Sequence, residues 1–455
     1  MTLPRLFPTF TPMKNGIFWL LFLLIPLGFL HLTKKNKWRE YSGGFIIRAV
    51  DEHGYYAYLP AIFIYGDLSF SFREATELKY RKKIPPYSDY RMTTERGRVN
   101  KYFAGTAVLQ LPFFLATHAW VSATGGEADG YSFPYQKMLN LAAIFYLTLG
   151  LYFFNLFLKL RQIERWRRLI TLYVVAFGTN ILVYCVDSPG MSHIYSFAVV
   201  SFFMYSVQRF FSKRSTRLFL TAAVVYGLIV LLRPANGLVL FALPFLAGTE
   251  EKFKSGLHFL QGRGKYIAAA GLLAAAVVSI QLILYKMQTG HFFVYSYGEE
   301  GFDFTDSHFR KMLFSYKKGL FLYTPLAGIA LSGLYFMRKY AAWSLLAFLI
   351  LVNYILSCWY PWWYGGSFSG RVYIEYFPFI FTGFAVLLQR MRRLYFLLPF
   401  LLLTLLLVLW NQQQIVLYRW GVIHWEQMNE EKYREAFAKT AKLLRRSVKE
   451  FFGVN

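Results

Sequence analysis

The sequence predicts an all-α polytopic membrane protein with about eleven transmembrane helices and further juxtamembrane helices in a long loop after the first. Three observations predict it. The 455 residues are 56% hydrophobic and 20% aromatic, with a mean hydropathy of +0.35, more apolar than soluble domains are. Apolar runs of spanning length recur along the chain. The formal charge of +26 is scattered in short clusters between those runs, with no basic domain. That distribution fits the positive-inside rule and anionic membrane lipids, and it argues against a nucleic-acid partner.

The first run, residues 16–32 (GIFWLLFLLIPLGFLHL), is followed by the charged TKKNKWRE and not by a small-residue cleavage site. It is therefore expected to be a retained helix. Later spans are expected at about 134–158, 169–187, 191–211, 217–233, 236–248, 266–285, 319–337, 341–357, 374–390 and 394–410, of which 236–248 is short. Alternate connections are basic: Lys159 to Arg168, Lys213 to Arg217, Lys252 to Lys265, Arg338 with Lys339, and Arg390 to Arg393. These read as the cytoplasmic loops, so the connections 187–193, 286–318 and 358–373 face outward together. After residue 410 comes a short basic tail. From Asn429 its apolar residues Tyr433, Phe437, Leu443, Leu444, Val448 and Phe451 recur at helical spacing, as in an amphipathic surface helix. Two cysteines, Cys185 and Cys358, carry no metal-ligand spacing; one bridge or two free thiols are both compatible with it.

Residues 103–121 (FAGTAVLQLPFFLATHAWV) are long enough to span, and they leave two topologies open. In one, the N-terminus is inside, residues 33–133 form a single outer loop, and 103–121 lies at the interface or re-enters. In the other, the N-terminus is outside, 103–121 spans, and the loop after the first helix is cytoplasmic, as Lys34, Lys35, Lys37 and Arg39 favour.

The loop after the first helix reads VDEHGYYAYLPAIFIYGDLSF, an adjacent acid pair followed by clustered tyrosines. It resembles the first outer loop of the GT-C glycosyltransferases, which include protein O-mannosyltransferases and lipid A aminoarabinose transferases. The resemblance lies in Asp51, Glu52, Tyr55, Gly66 and Asp67. Three further segments are similar to that class: RVNKYFAG with Lys101, FSYKKGLFLYTPL with Lys317 and Lys318, and WWYGGSFSGRVYIEYFPF with Arg371. The last departs from the family pattern in having Ser369-Gly370 where Gly-Pro is expected. The resemblance implies the first topology, with residues 1–410 a GT-C-like membrane domain that includes outer loop 33–133, and 411–455 an outer tail. It also implies an inverting transfer of a sugar from a polyprenyl-phosphate donor to a lipid, glycan or protein acceptor.

Such chemistry needs a base for the acceptor's proton and cations for the departing phosphate. Asp51 is the expected base, with Glu52 positioning it, binding an acceptor or sharing a metal. Arg371 is the expected phosphate ligand because its planar fork can bind two oxygens, with Lys101, Lys317 and Lys318 as further cations. Tyr55, Tyr58, His193 and Trp363 are expected to line the substrate path. Each has a plainer reading. Arg371 can pair with Glu375 four residues on, the tyrosines and tryptophans can be interface anchors, and His193 can be an interhelical polar group. Loop 286–318 carries Glu299, Glu300, Asp303 and Asp306, oxygen ligands that suit a divalent cation such as Mg²⁺ or Mn²⁺ but in no EF-hand register; a mobile loop closing over acceptor is the preferred reading. Arg233, in LLRPANG, reads first as part of a helix break, with contact to the donor phosphate as its second reading. A multi-pass lipid or solute transporter or flippase is the alternative function. The lack of an ER-retention signal and the compact loops point to a bacterial inner membrane with the site facing outward.

Overall fold

The computed structural model describes residues 13–35, 47, 50–80 and 89–438. Lys37, Arg39, Leu443, Leu444, Val448 and Phe451 lie outside them. Within them the fold is almost wholly helical. Helix α1 (Asn15–Lys35) leads to α2 (Val50–Pro60), whose last turn widens into a π-helix, Ala61–Tyr65, closed by left-handed Gly66. Helix α3 (Arg73–Tyr80) and the antiparallel hairpin β1 (Arg91–Thr94) and β2 (Gly97–Asn100) complete the loop before α4 (Gly105–Ala123). The bundle continues with α5 (Phe133–Leu160), α6 (Arg165–Phe177), α7 (Ile181–Val186), α8 (Ser192–Lys213) and α9 (Thr216–Leu232). A 3₁₀ segment, Pro234–Ala242, runs into α10 (Leu243–Ala247), followed by α11 (Glu250–Leu260) and α12 (Gly264–Thr289).

The next loop contains β3 (Gly301–Phe302) and α13 (Phe309–Phe314). Then come α14 (Leu320–Tyr323), α15 (Pro325–Ser332) and a 3₁₀ turn, Gly333–Phe336, and next α16 (Lys339–Ser357) with β4 (Trp359–Tyr360), which pairs with β3. A 3₁₀ turn, Arg371–Tyr376, opens α17 (Phe377–Arg390), and α18 (Leu394–Arg419) is the last long helix.

Seven helical segments among the described residues are long and apolar enough to cross a membrane, and three shorter apolar ones accompany them. The run expected at 169–187 is two helices, interrupted where Gly178 packs against Leu326 and Val408. The run expected at 319–337 breaks at Pro325, whose ring cannot continue the preceding helix. Helix α8 and the segment Arg371–Arg390 form the centre of the bundle, whereas α1, α12 and α18 leave most of their apolar surface uncovered. Leu20, Leu24 and Leu27 on α1 and Leu402, Leu405 and Leu409 on α18 are about half exposed. Apolar surface on that scale needs lipid as its solvent, and the chain is an all-α membrane protein. Close packing inside uses small residues: a Cβ on Gly333 would come within 1.9 Å of the Gly383 carbonyl oxygen.

Contacts at the two ends of the bundle bear on the topology. At one end the basic connections meet. Arg161 donates to the Phe245 carbonyl at 2.6 Å, Arg167 to the Gln389 carbonyl at 2.7 Å, Arg214 to the Lys252 carbonyl at 3.0 Å and Arg390 to the Phe336 carbonyl at 3.3 Å. Arg165 also donates to the carbonyl of Met13, so the start of α1 belongs to this basic end. At the other end, Asp51 pairs with Arg371 at 2.7 Å, and Glu52 accepts from the Gly190 amide at 3.2 Å. Helix α4 starts and finishes beside α2. Tyr102 before it bonds Asp51, and after it the Gly130 carbonyl accepts from Tyr56 and the Asp129 carbonyl from Tyr65. It therefore does not carry the chain to the end where the basic connections meet.

The tail differs from a free surface helix. Residues 430–438 are helical, but they fold back on α18, with Tyr433 donating to Gln414 at 3.2 Å and Phe437 stacked on Trp410 at 4.3 Å.

Candidate functional site

At the end of the bundle opposite the basic loops lies a cavity of about 340 Å³, within the range of small-molecule sites. Its polar wall is made by Asp51, Lys101, Arg233, Glu300 and Arg371, and its aromatic wall by Tyr55, Tyr102, Tyr285, Tyr297, Trp359 and Tyr364.

Asp51 sits in the first turn of α2, where a carboxylate is favoured by the helix dipole. Its Oδ2 lies 2.7 Å from Arg371 Nη2, and its Oδ1 accepts from the Tyr102 hydroxyl at 2.6 Å. Gly54 makes this possible, because a Cβ there would meet the Tyr102 ring at 2.1 Å. Burial alone would raise the Asp51 carboxyl's pKa, but Arg371, Tyr102 and Lys101 together outweigh it and hold it below the usual carboxylate value. Burial, with Asp51 beside it, drives the Tyr102 hydroxyl well above its ordinary value, so it stays a donor.

Arg371 opens the 3₁₀ turn before α17. Besides Asp51 it donates to the Tyr364 carbonyl at 2.7 Å and approaches Met191 Sδ at 3.7 Å. It does not pair with Glu375, as the i,i+4 spacing suggested. The 3₁₀ turn rotates that carboxylate away, to Arg233 Nη1 at 3.1 Å and His193 Nδ1 at 3.0 Å. Ser369, at the departure from the family pattern, is buried with φ 58°, a left-handed conformation that favours glycine.

Four sequence-predicted residues, Asp51, Lys101, Arg371 and Tyr55, line the cavity. Lys101 pairs with Glu300 at 2.5 Å, and its ammonium lies 5.5 Å from the centre of the Tyr297 ring. Tyr55 receives a hydrogen bond from Ser192 at 3.3 Å. The other expected residues lie behind or beside the wall. Glu52 is buried and anchors the turn at Gly190. Tyr58 is buried and donates to the Tyr102 carbonyl at 2.9 Å. His193 reaches the cavity through Glu375 and Arg233.

Lys317 stacks on Trp363, its ammonium 3.5 Å from the ring centre, and Trp363 donates to Glu426 at 3.3 Å. Lys318 is buried, bonded to the Ser367 carbonyl and, at 2.5 Å, to the Trp425 carbonyl. Burial, with Arg371 and Lys317 nearby, lowers its pKa well below the ordinary lysine value. In this arrangement Lys318 fastens the tail to the Arg371 loop.

Arg233 and Glu300 also line the cavity, though the sequence singled them out less strongly. The signal for Arg233 was its place between a helix end and Pro234, which holds it extended at φ −155°. Cys185 and Cys358 are both free and buried. Among the described residues no three His, Cys, Asp or Glu side chains converge as a metal site. The cavity's two carboxylates each face a cation, so this donor set does not fit a divalent ion in the arrangement seen. No protein-family model and no curated protein sequence matches the chain.

Proposed function

We propose that the chain is an inverting, GT-C-type glycosyltransferase that moves a sugar from a polyprenyl-phosphate donor to a lipid, glycan or protein acceptor at the outer face of a membrane, the bacterial inner membrane being the expected one. In this reading the chain crosses the bilayer about eleven times, with its basic loops inside. The observation that carries it is a cavity whose wall brings the carboxylate Asp51, in contact with Arg371, together with two further cations, Arg233 and Lys101, beside an aromatic wall.

In the reaction, the acceptor hydroxyl gives its proton to Asp51 while its oxygen bonds to the anomeric carbon. The carbon–oxygen bond to phosphate breaks on the opposite face, and its electron pair stays on the phosphate oxygen. Arg371 holds the donor phosphate through its planar fork. The Asp51–Arg371 pair couples the two substrates: donor phosphate competes for Arg371, and the carboxylate it displaces becomes the stronger base. Lys101, paired with Glu300, adds a further cation at the rim.

The test is sugar transfer in proteoliposomes loaded with polyprenyl-phosphate sugars. Transfer that requires the donor lipid and is lost in Asp51→Asn supports the reading. Donor-independent solute or lipid movement that survives Asp51→Asn overturns it in favour of a transporter.

A further inference from the structure

Two arginines face the cavity, and they are held differently. Arg371 is paired with Asp51, which is itself in the cavity wall and 23% exposed, so its counter-ion can be exchanged for a ligand. Arg233 is paired with Glu375, which is fully buried and outside the wall. Glu375 is anchored in turn by His193. An Nδ1–H tautomer donates to Glu375 Oε2 at 3.0 Å while Arg233 donates to Oε1 at 3.1 Å. The 3.1 Å approach of Arg233 to the same His193 nitrogen is then a contact between two donors, not a third hydrogen bond. Both side-chain contacts of Arg233 use Nη1. Its Nη2 and Nε have no protein acceptor among the described residues, and the side chain lines the cavity. The backbone is fixed as well, with the Arg233 amide bonded to Ile229 and its carbonyl accepting from Asn236.

We infer that Arg233 is the group that takes up the second negative charge acquired by the phosphate as the sugar leaves, and that Glu375 and His193 are positioning residues that hold it for that task. The inference rests on the glycosyl-transfer reading above. A sugar phosphodiester carries one negative charge, whereas the monoester it leaves behind carries about −1.5 to −2 near neutrality. Proton transfer to Asp51 removes a negative charge from one side of the cavity as the phosphate gains one on the other. Around the cavity, Lys101, Arg233 and Arg371 are matched by Asp51, Glu300 and Glu375. A cation with a fixed counter-ion and unused donors can meet the new charge without rearrangement, which is what transition-state stabilisation requires.

Binding of two probes to the full-length protein in detergent tests this without knowledge of the sugar. The probes are farnesyl monophosphate, a dianion at pH 8, and its methyl diester, a monoanion. The wild-type protein is expected to bind the dianion at least about tenfold more tightly, as one extra charge-assisted fork contact provides. In Arg233→Lys and Glu375→Gln that ratio is expected to collapse toward one, with the diester affinity changed by less than about threefold. Equal affinities in the wild type, which require no variant to fold, would overturn the inference, as would an unchanged ratio in Arg233→Lys. Failure of the wild type to bind either probe would overturn the phosphate-donor reading itself.

Discussion

Replacing Asp51 with asparagine should move donor affinity and turnover in opposite directions. The Asp51–Arg371 contact is 2.7 Å, between side chains 23% and 11% exposed. Unit charges about 4 Å apart at an effective dielectric of about 20 attract by about 4 kcal/mol. Desolvation and water access leave a net of about 1–2 kcal/mol. In the proposed reaction, donor phosphate has to displace that attraction when it takes Arg371. Asparagine keeps the shape and can still accept from Tyr102, but it carries no charge to displace. The donor should therefore bind about 5- to 30-fold more tightly to the variant, while loss of the base lowers turnover by about 10²–10⁴. With chemistry that slow, KM approaches the dissociation constant. A single-turnover assay in proteoliposomes, paired with a donor-binding titration, measures both. Weaker donor binding with turnover preserved would refute the reasoning, because Asp51 would then be neither the competitor for Arg371 nor the base.

Three further outcomes are expected. In a background with Cys185 and Cys358 changed to serine, Glu95→Cys in the β-hairpin and Thr305→Cys in the loop before α13 should react with an impermeant thiol reagent on intact cells, and Lys213→Cys only after permeabilisation. Labelling of Lys213→Cys alone from outside would invert the assigned topology. Ser369→Gly should be neutral or stabilising by up to about 1 kcal/mol in a thermal-unfolding assay in detergent, because serine at φ 58° carries the left-handed penalty; a loss of stability would mean that the buried hydroxyl makes a contact worth more than the strain. Asp51 titrates below its unfolded value of about 3.9, so its contribution to stability is complete above about pH 4 and is lost as pH falls through the lower folded value. For the same reason kcat/KM should show no acid limb above about pH 4 from Asp51, and a limb near pH 6 that disappears in Asp51→Asn would contradict the carboxylate environment described.

What was legible in the sequence was what periodicity and composition encode. Apolar runs and the alternation of basic loops located the helices, because a spanning segment must be long, apolar and flanked. The interruptions were less legible. The break after Phe177 depends on Gly178 meeting Leu326 and Val408, partners more than a hundred residues away, and no local pattern announces such a contact. The topology was undecided for a related reason. The α4 sequence is long enough to span, and only its contacts with α2 at both ends show that it stays at one end of the bundle.

In the candidate site, Asp51 and Arg371 were singled out by the resemblance of their segments to the GT-C class and by the base and phosphate ligand that such chemistry needs; an ionisable residue beside a helix end by itself implies only a structural partner. The identity of that partner was not legible. Spacing offered Glu375 to Arg371, since four residues on an α-helix share a face, but Arg371–Tyr376 is a 3₁₀ turn, in which residues four apart no longer align. That local change of pitch leaves Arg371 facing Asp51 and gives Glu375 to Arg233. The arginine read as part of a helix break thereby enters the cavity wall with a buried carboxylate behind it. A one-turn change in helix type thus separates a self-contained helix pair from two cations aimed at one cavity, and only the structure reveals which form the turn adopts.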